Sequence, residues 1–306
     1  MRIFFICLQL VLAVLLAPLV SGMIARIKNN LRMRRGSPLL QPYYNLAKLF
    51  FKGEVVSRTA SWIFRITPFI LFASSAAALV LSPMVISASP AYYAGDILAI
   101  IFILALGRFF LSLAGLDAGS AFGGMGSSRE MFISGIAEPA ACIAVFSLML
   151  NNASTSPELL GVTGYPHLGT ICAVLCLLMI TLAETSRLPV DNQETHLELT
   201  MIHEAMILEY SGRSLAFIEM SSYIKQLFWF SLLSYLIFPV TVDISAGFAH
   251  IGSAAVLFLV KLIIFSGIVA IVEVSVAKMR LFRVVDYFGF AIILGIVATV
   301  ANFIGL

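Results

Sequence analysis

Apolar residues run in blocks of about 20 along this chain, each bounded by a short polar or charged segment. The blocks fall at about 3–27, 66–89, 96–116, 131–152, 168–186, 223–242, 251–277 and 284–304. About 20 helical residues cross the hydrocarbon core of a bilayer, so each block is expected to be a transmembrane helix. The expected fold is all-α: a polytopic integral membrane protein with about eight transmembrane helices. No polar stretch is long enough for a second domain, so residues 1–306 are expected to form a single membrane domain. The first block has features of a signal peptide: one basic residue, an apolar core, and small residues at Val20-Ser21-Gly22. The apolar pattern nevertheless continues through Met23, Ile24 and Ile27 into a basic flank, which reads as a retained first helix.

The connecting segments alternate in charge. Segment 26–65 carries nine of the chain's 19 Lys and Arg against Glu54 alone, and segments 117–130, 187–222 and 278–283 also contain basic residues. Segments 90–95, 153–167 and 243–250 contain none. By the positive-inside rule the basic segments 28–65, 117–130, 187–222 and 278–283 are cytoplasmic loops, and both termini face away from the cytoplasm. Within the first loop, residues 39–52 read as an amphipathic interfacial helix: Tyr43, Leu46, Leu49 and Phe50 can share one face while Lys48 and Lys52 snorkel.

Composition agrees: 60% of residues are hydrophobic and 11% charged, against about 25% charged in a soluble domain. The charges that remain are concentrated. Residues 184–222 hold Glu184, Asp191, Glu194, Glu198, Glu204, Glu209 and Glu219, offset by Arg187 and Arg213 alone. Two readings stand: a solvated acidic loop, or carboxylates crowded enough to handle protons. Apolar residues such as Leu197, Leu199, Met201, Ile202, Met206 and Ile207 interleave with the acids, so some should face protein. Arg108, Glu138, Glu184, Lys225, Lys261 and Glu273 lie within or at the ends of spans, as structural ion pairs or along an aqueous path. Lys261 and Glu273 are 12 residues apart, about 18 Å along a helix, too far to touch. Cys172 and Cys176 lie one turn apart in an apolar run without a neighbouring His or carboxylate, which reads as packing rather than metal binding. The chain offers no metal or cofactor site of its own, there being no CxxC, phosphate loop or HExxH.

Several motifs resemble one superfamily. R-R-G-S-P-L-L-Q-P-Y-Y-N-L-A-K-L-F-F-K (34–52), G-L-D-A-G-S-A-F-G-G-M-G-S-S-R-E (115–130), Glu138-Pro139, E-T-S-R-L-P-V-D (184–191), E-Y-S-G (209–212), Lys225-Gln226-Leu227, Glu273 and A-K-M-R-L-F-R (277–283) occur in order. Together they resemble the subunit 1 superfamily of respiratory complex I. They are more similar still to the membrane subunit of formate hydrogenlyase and hydrogenase-4 complexes, the group 4 energy-converting hydrogenases.

The resemblance implies a membrane subunit, non-catalytic alone, that docks an iron–sulfur electron-transfer arm and couples redox chemistry to ion translocation in a prokaryotic inner membrane. Nickel–iron and iron–sulfur centres are expected in hydrogenase-like large and small partner subunits, beside antiporter-like membrane subunits, with no nucleic acid; a bound quinone is a further possibility. The candidate proton path is Glu138, Glu184, Asp191, Glu194, His196, Glu198, Glu204, Glu209, Lys261 and Glu273, and the candidate docking or ion-pairing residues are Arg34, Arg35, Arg129 and Arg187. The chain departs from the complex I pattern at Ser37, which separates Gly36 from Pro38, at His196, where an acid is common, and in a longer loop holding His203 and Glu204. The alternatives are subunit 1 of an NADH-quinone oxidoreductase lining a quinone chamber, or a stand-alone ion or solute transporter.

Overall fold

The computed structural model describes residues 2–57, 59–82, 86–87, 96–152, 167–191, 202–239, 242–243, 248–277, 279 and 281–304. Ten helices follow one another among them: α1 (Arg2–Leu31), α2 (Gln41–Phe51), α3 (Trp62–Val80), α4 (Ile97–Asp117), α5 (Ala121–Asn152), α6 (Leu168–Glu184), α7 (His203–Ile207), α8 (Gly212–Ile237), α9 (Phe248–Ser275) and α10 (Leu281–Ile304). A two-residue parallel pair, β1 (Ile86–Ser87) with β2 (Val242–Asp243), ties together the segments that follow α3 and α8. The protein is all-α.

Six helices, α1, α3, α4, α5, α9 and α10, are long and apolar enough to cross a membrane. Helix α6 is apolar but has 17 residues, and α8 carries Arg213, Glu219 and Lys225 with several serines. The structure therefore establishes six of the eight expected spans by length and composition. Boundaries also shift. The expected loop 117–130 is mostly helix, since α5 begins at Ala121; α3 ends at Val80 rather than near 89; and α8 begins at Gly212 within the expected loop 187–222.

The glycines of the 115–130 motif explain the first correction. A Cβ on Gly123 would collide with the Gly115 carbonyl oxygen, and one on Gly115 would collide with Ser127 Oγ. These glycines let α5 start against α4 after a turn at Gly119, whose φ is +68°. Local composition reads as a loop; close helix packing is what it serves.

Helices α6 and α8 are the most enclosed. Leu227 to Leu236 of α8 are all buried, and α6 buries Cys172, Ala173, Cys176, Leu177 and Ile180 against α5 and α10. The outer helices keep exposed aliphatic rows, such as Val256, Val260, Ile263 and Ile271 on α9 and Ile293, Val297 and Val300 on α10, suited to lipid contact. Helix α2 lies across α1 and α8, with Leu46 buried and Phe50 edge-on to Phe217 at 5.5 Å.

Pro68 inside α3 cannot donate to the carbonyl of Phe64. Tyr210, from the chain entering α8, supplies that bond with its hydroxyl at 2.9 Å and stacks its ring on Phe64. Ser211 exchanges hydrogen bonds with both backbone groups of Val55, and Gly212, at φ +55°, lets the Gly53 carbonyl approach. The E-Y-S-G motif thus fastens the first loop to the start of α8.

Candidate functional site

The turn after α6 sets the site. Glu184 is its last residue, and Arg187 N–H reaches back to the Leu182 carbonyl while Ser186 takes a φ of 52°. This closure keeps both Glu184 and Arg187 buried instead of releasing them to the loop.

Each then joins a buried ionic group. Arg108, in the middle of α4, donates from Nη1 to Glu184 Oε1 at 2.5 Å and places Nη2 3.3 Å from Glu138 Oε1 of α5. Lys225 of α8 stands 3.8 Å from Glu184 Oε2. In the second group, Glu273 of α9 accepts from Lys28 Nζ of α1 at 2.9 Å and from Arg187 Nη1 at 3.0 Å. Arg187 Nη2 also donates to Gln226 Oε1 at 3.2 Å and to Ser21 Oγ at 3.5 Å.

The two groups are covalent neighbours twice over. Glu184 and Arg187 share one turn, and Lys225 and Gln226 are consecutive on α8. The result is a row of two clusters, Glu138–Arg108–Glu184–Lys225 and Gln226–Arg187–Glu273–Lys28, joined to each other through the backbone at the turn after α6 and along α8. Opposite charges are paired within each cluster, which offsets part of the several kcal/mol that a buried ion costs in desolvation. The row is not fully satisfied. Arg108 Nε, Glu184 Oε2, Arg187 Nε and Gln226 Nε2 are buried without a hydrogen-bond partner among the described residues. Glu184 Oε2 is free to accept a proton or a water hydrogen, and the N–H groups of Arg108, Arg187 and Gln226 are placed to donate to a transient water.

The remaining sequence candidates divide. Asp191 is buried and accepts from the His203 backbone N–H at 3.2 Å, holding the start of α7 beside the first group. Burial pushes the His203 imidazole below its ordinary pKa; Glu204 and Asp191 oppose this and Lys225 adds to it. Glu204 is half-buried, whereas Glu209 is exposed although its neighbours Tyr210 and Ser211 are engaged. Lys261 donates to the Phe238 carbonyl at 2.6 Å, apart from Glu273. Arg34 and Arg35 are exposed on the first loop, Arg129 is half-buried, and Arg187 is in the row. Glu194, His196 and Glu198 lie outside the described residues. Among the described residues no group of His, Cys, Asp or Glu is placed to hold a metal, and Cys176 donates to the Ala291 carbonyl at 3.0 Å.

The sequence does not mark Lys28, Gln226, Ser21 or Glu130 as site residues. Lys28 reads as loop charge because the apolar run ends at 27, whereas α1 continues to Leu31. Its spacing of seven residues from Ser21, two helical turns, is the available signal.

A bundle of apolar helices, six of them long and apolar enough to cross a bilayer, with charged clusters in its interior, defines a polytopic membrane protein. The chain belongs to the NADH dehydrogenase family, whose model matches residues 3–304. It is 31% identical over 296 residues to hydrogenase-4 component C of Escherichia coli (strain K12), covering 95% of this chain and 93% of that protein. It is 28% identical over 286 residues to formate hydrogenlyase subunit 4 of the same organism, covering 92% of each. A chain in the structure of the membrane-bound sulfane sulfur reductase, an archaeal respiratory membrane complex, superposes with a TM-score of 0.83 at 17% identity, over 99% of this chain and 100% of that one, and so shares the fold. The resemblance read from the motifs holds for the family and for its hydrogenase-type relatives.

Proposed function

We propose that this chain is the membrane-anchoring and proton-path subunit of a hydrogenase or formate hydrogenlyase-type complex. It docks an iron–sulfur electron-transfer arm and couples redox chemistry in that arm to ion translocation. Similarity along nearly the whole chain to components of two such complexes supports the type of assembly. The largely buried row, with Glu138 and Lys225 part-exposed at one end, is the observation that carries the coupling role. A purely structural set of ion pairs is served by isolated, fully bonded pairs; these two clusters are adjacent along α8 and the turn after α6 and keep unbonded polar atoms.

In this reading Glu138, Glu184 and Glu273 carry protons along the row. Asp191, Glu204 and Glu209 lead to it from the arm side, and Glu194, His196 and Glu198 are assigned to the same path by their sequence. Lys261 continues sideways from α9 toward antiporter-like subunits. Arg34, Arg35 and Arg129 face the docked arm, and Arg187 positions Glu273. The basic loops lie in the cytoplasm of a prokaryotic cell, with both termini on the opposite side. Nickel–iron and iron–sulfur centres belong to the partners.

The assembly is tested by purifying this chain from its native membrane in mild detergent, then identifying co-purifying subunits by mass spectrometry and assaying metals. Iron–sulfur subunits with nickel are expected. Iron–sulfur subunits without nickel would move the reading to a quinone-reducing or hydrogenase-related relative. Recovery of the chain alone, from a preparation that keeps other complexes whole, would contradict it.

A further inference from the structure

Beside the row lies a cavity that none of the candidate acids accounts for. It opens between α3, α4, α5, α7 and α8, and offers water centres about 30 Å³ of space. A buried water needs about 10–15 Å³ on this measure and two to four polar partners, so two waters fit. Its polar wall is Arg108, Glu130, His203, Lys225 and the serines at 74, 75, 221 and 222. Each serine hydroxyl donates to its own helix, Ser74 to Leu71, Ser75 to Phe72, Ser221 to Ile218 and Ser222 to Glu219, and so presents an acceptor oxygen. Arg108 and Lys225 present donors. Apolar Leu71, Leu104, Leu111 and Ile218 close the rest.

We propose that this cavity is a hydrated proton-loading chamber in which Glu130 of α5 and His203 of α7 exchange a proton through water, the onward acceptors being the Glu184 and Glu138 carboxylates that Arg108 and Lys225 hold beside it. The inference rests on the proton-path reading and adds two residues to it. The geometry requires both partners: Glu130 is the cavity's carboxyl and His203 its imidazole, on different helices, and both line the same small space. Arg108 joins the chamber to Glu184 and Glu138, and Lys225 joins it to Glu184. The transfer is a simple relay: the Glu130 carboxyl releases a proton to water, and that water protonates the His203 ring nitrogen, or the reverse. Burial lowers the His203 pKa, so a proton that it receives is readily passed on. The charged groups facing it are Arg108 from α4, Glu130 from α5, Lys225 from α8, Asp191 from the turn after α6 and Glu204 on α7 itself.

The experiment uses the intact complex with Glu130→Gln, Glu130→Asp and His203→Asn, after checking subunit recovery. Infrared difference titration reads the carboxylic C=O band directly and does not depend on ion transport. A band present in wild type and lost in Glu130→Gln is expected, with a midpoint that moves by about one pH unit or more in His203→Asn. Glu130→Asp keeps a band and retains translocation, whereas Glu130→Gln loses translocation. A Glu130 band whose midpoint is unchanged in His203→Asn overturns the chamber, as does full translocation in an assembled Glu130→Gln complex. Absence of translocation in wild type would instead remove the proton-path reading, and the infrared midpoint would still decide whether the two residues share a proton.

Discussion

Glu273 has two cationic partners, and that asymmetry makes a sharp prediction. Replacing it with Gln leaves Lys28 and Arg187 buried together without a counter-charge, which costs about 3–5 kcal/mol. Replacing Lys28 with Met leaves the Arg187–Glu273 pair neutral and costs on the order of 1.5–3 kcal/mol for one charged hydrogen bond. Thermal unfolding in detergent should therefore rank Glu273→Gln well below Lys28→Met; equal losses would show that the charges do not act as one group. His203 supplies a second residue-level test. Its pKa is lowered on folding, so the folded state binds fewer protons than the unfolded one as pH falls through the ordinary His value of about 6.5. Stability is therefore lost between about pH 6.5 and the lowered folded value. His203→Gln removes that part of the acid sensitivity, measured as a smaller drop in melting temperature from pH 7 to pH 5.

At the scale of helices, the fold depends on contacts that composition disguises. Gly123 and Gly124 are neighbours in sequence, yet a Cβ at 123 collides with the Gly115 carbonyl while one at 124 meets nothing within 4 Å. Gly123→Ala should cost about 1–3 kcal/mol by forcing α4 and α5 apart, whereas Gly124→Ala should be neutral or slightly stabilising. Circular-dichroism melts of the two variants check this, and similar values would contradict the packing. Tyr210→Phe leaves the Phe64 carbonyl without its donor and should cost about 1–3 kcal/mol. In a Pro68→Ala background the restored backbone N–H should reduce that cost, which a double-mutant cycle measures. A cost that stays the same in both backgrounds would separate Tyr210 from the proline.

For the whole molecule, the apolar blocks were legible in the sequence because bilayer thickness leaves little choice of helix length. The amphipathic segment near 39–52 was legible because Leu46 and Phe50 recur at helical spacing, and both meet protein. What stayed hidden is pairing between distant positions. Lys28 and Glu273 are 245 residues apart, and no spacing rule connects them. Glu130 sits in a glycine-rich stretch that resembles a loop, so its place on a helix facing a cavity was not visible. Glu209 and Tyr210 show the converse: the acid draws attention for its charge, yet the tyrosine beside it makes the long-range contact. Motif matching found the right family because it did not need those pairings; the row of charges needed the fold.

The central claim is that Glu184, where Arg108 and Lys225 meet, carries protons in an assembled redox complex. The most direct measurement is proton translocation per electron pair in proteoliposomes holding the intact complex with Glu184→Gln. The account predicts normal subunit content, continuing redox turnover and loss of translocation. Translocation at the wild-type ratio in a fully assembled variant would contradict it and leave the row as structural ion pairs.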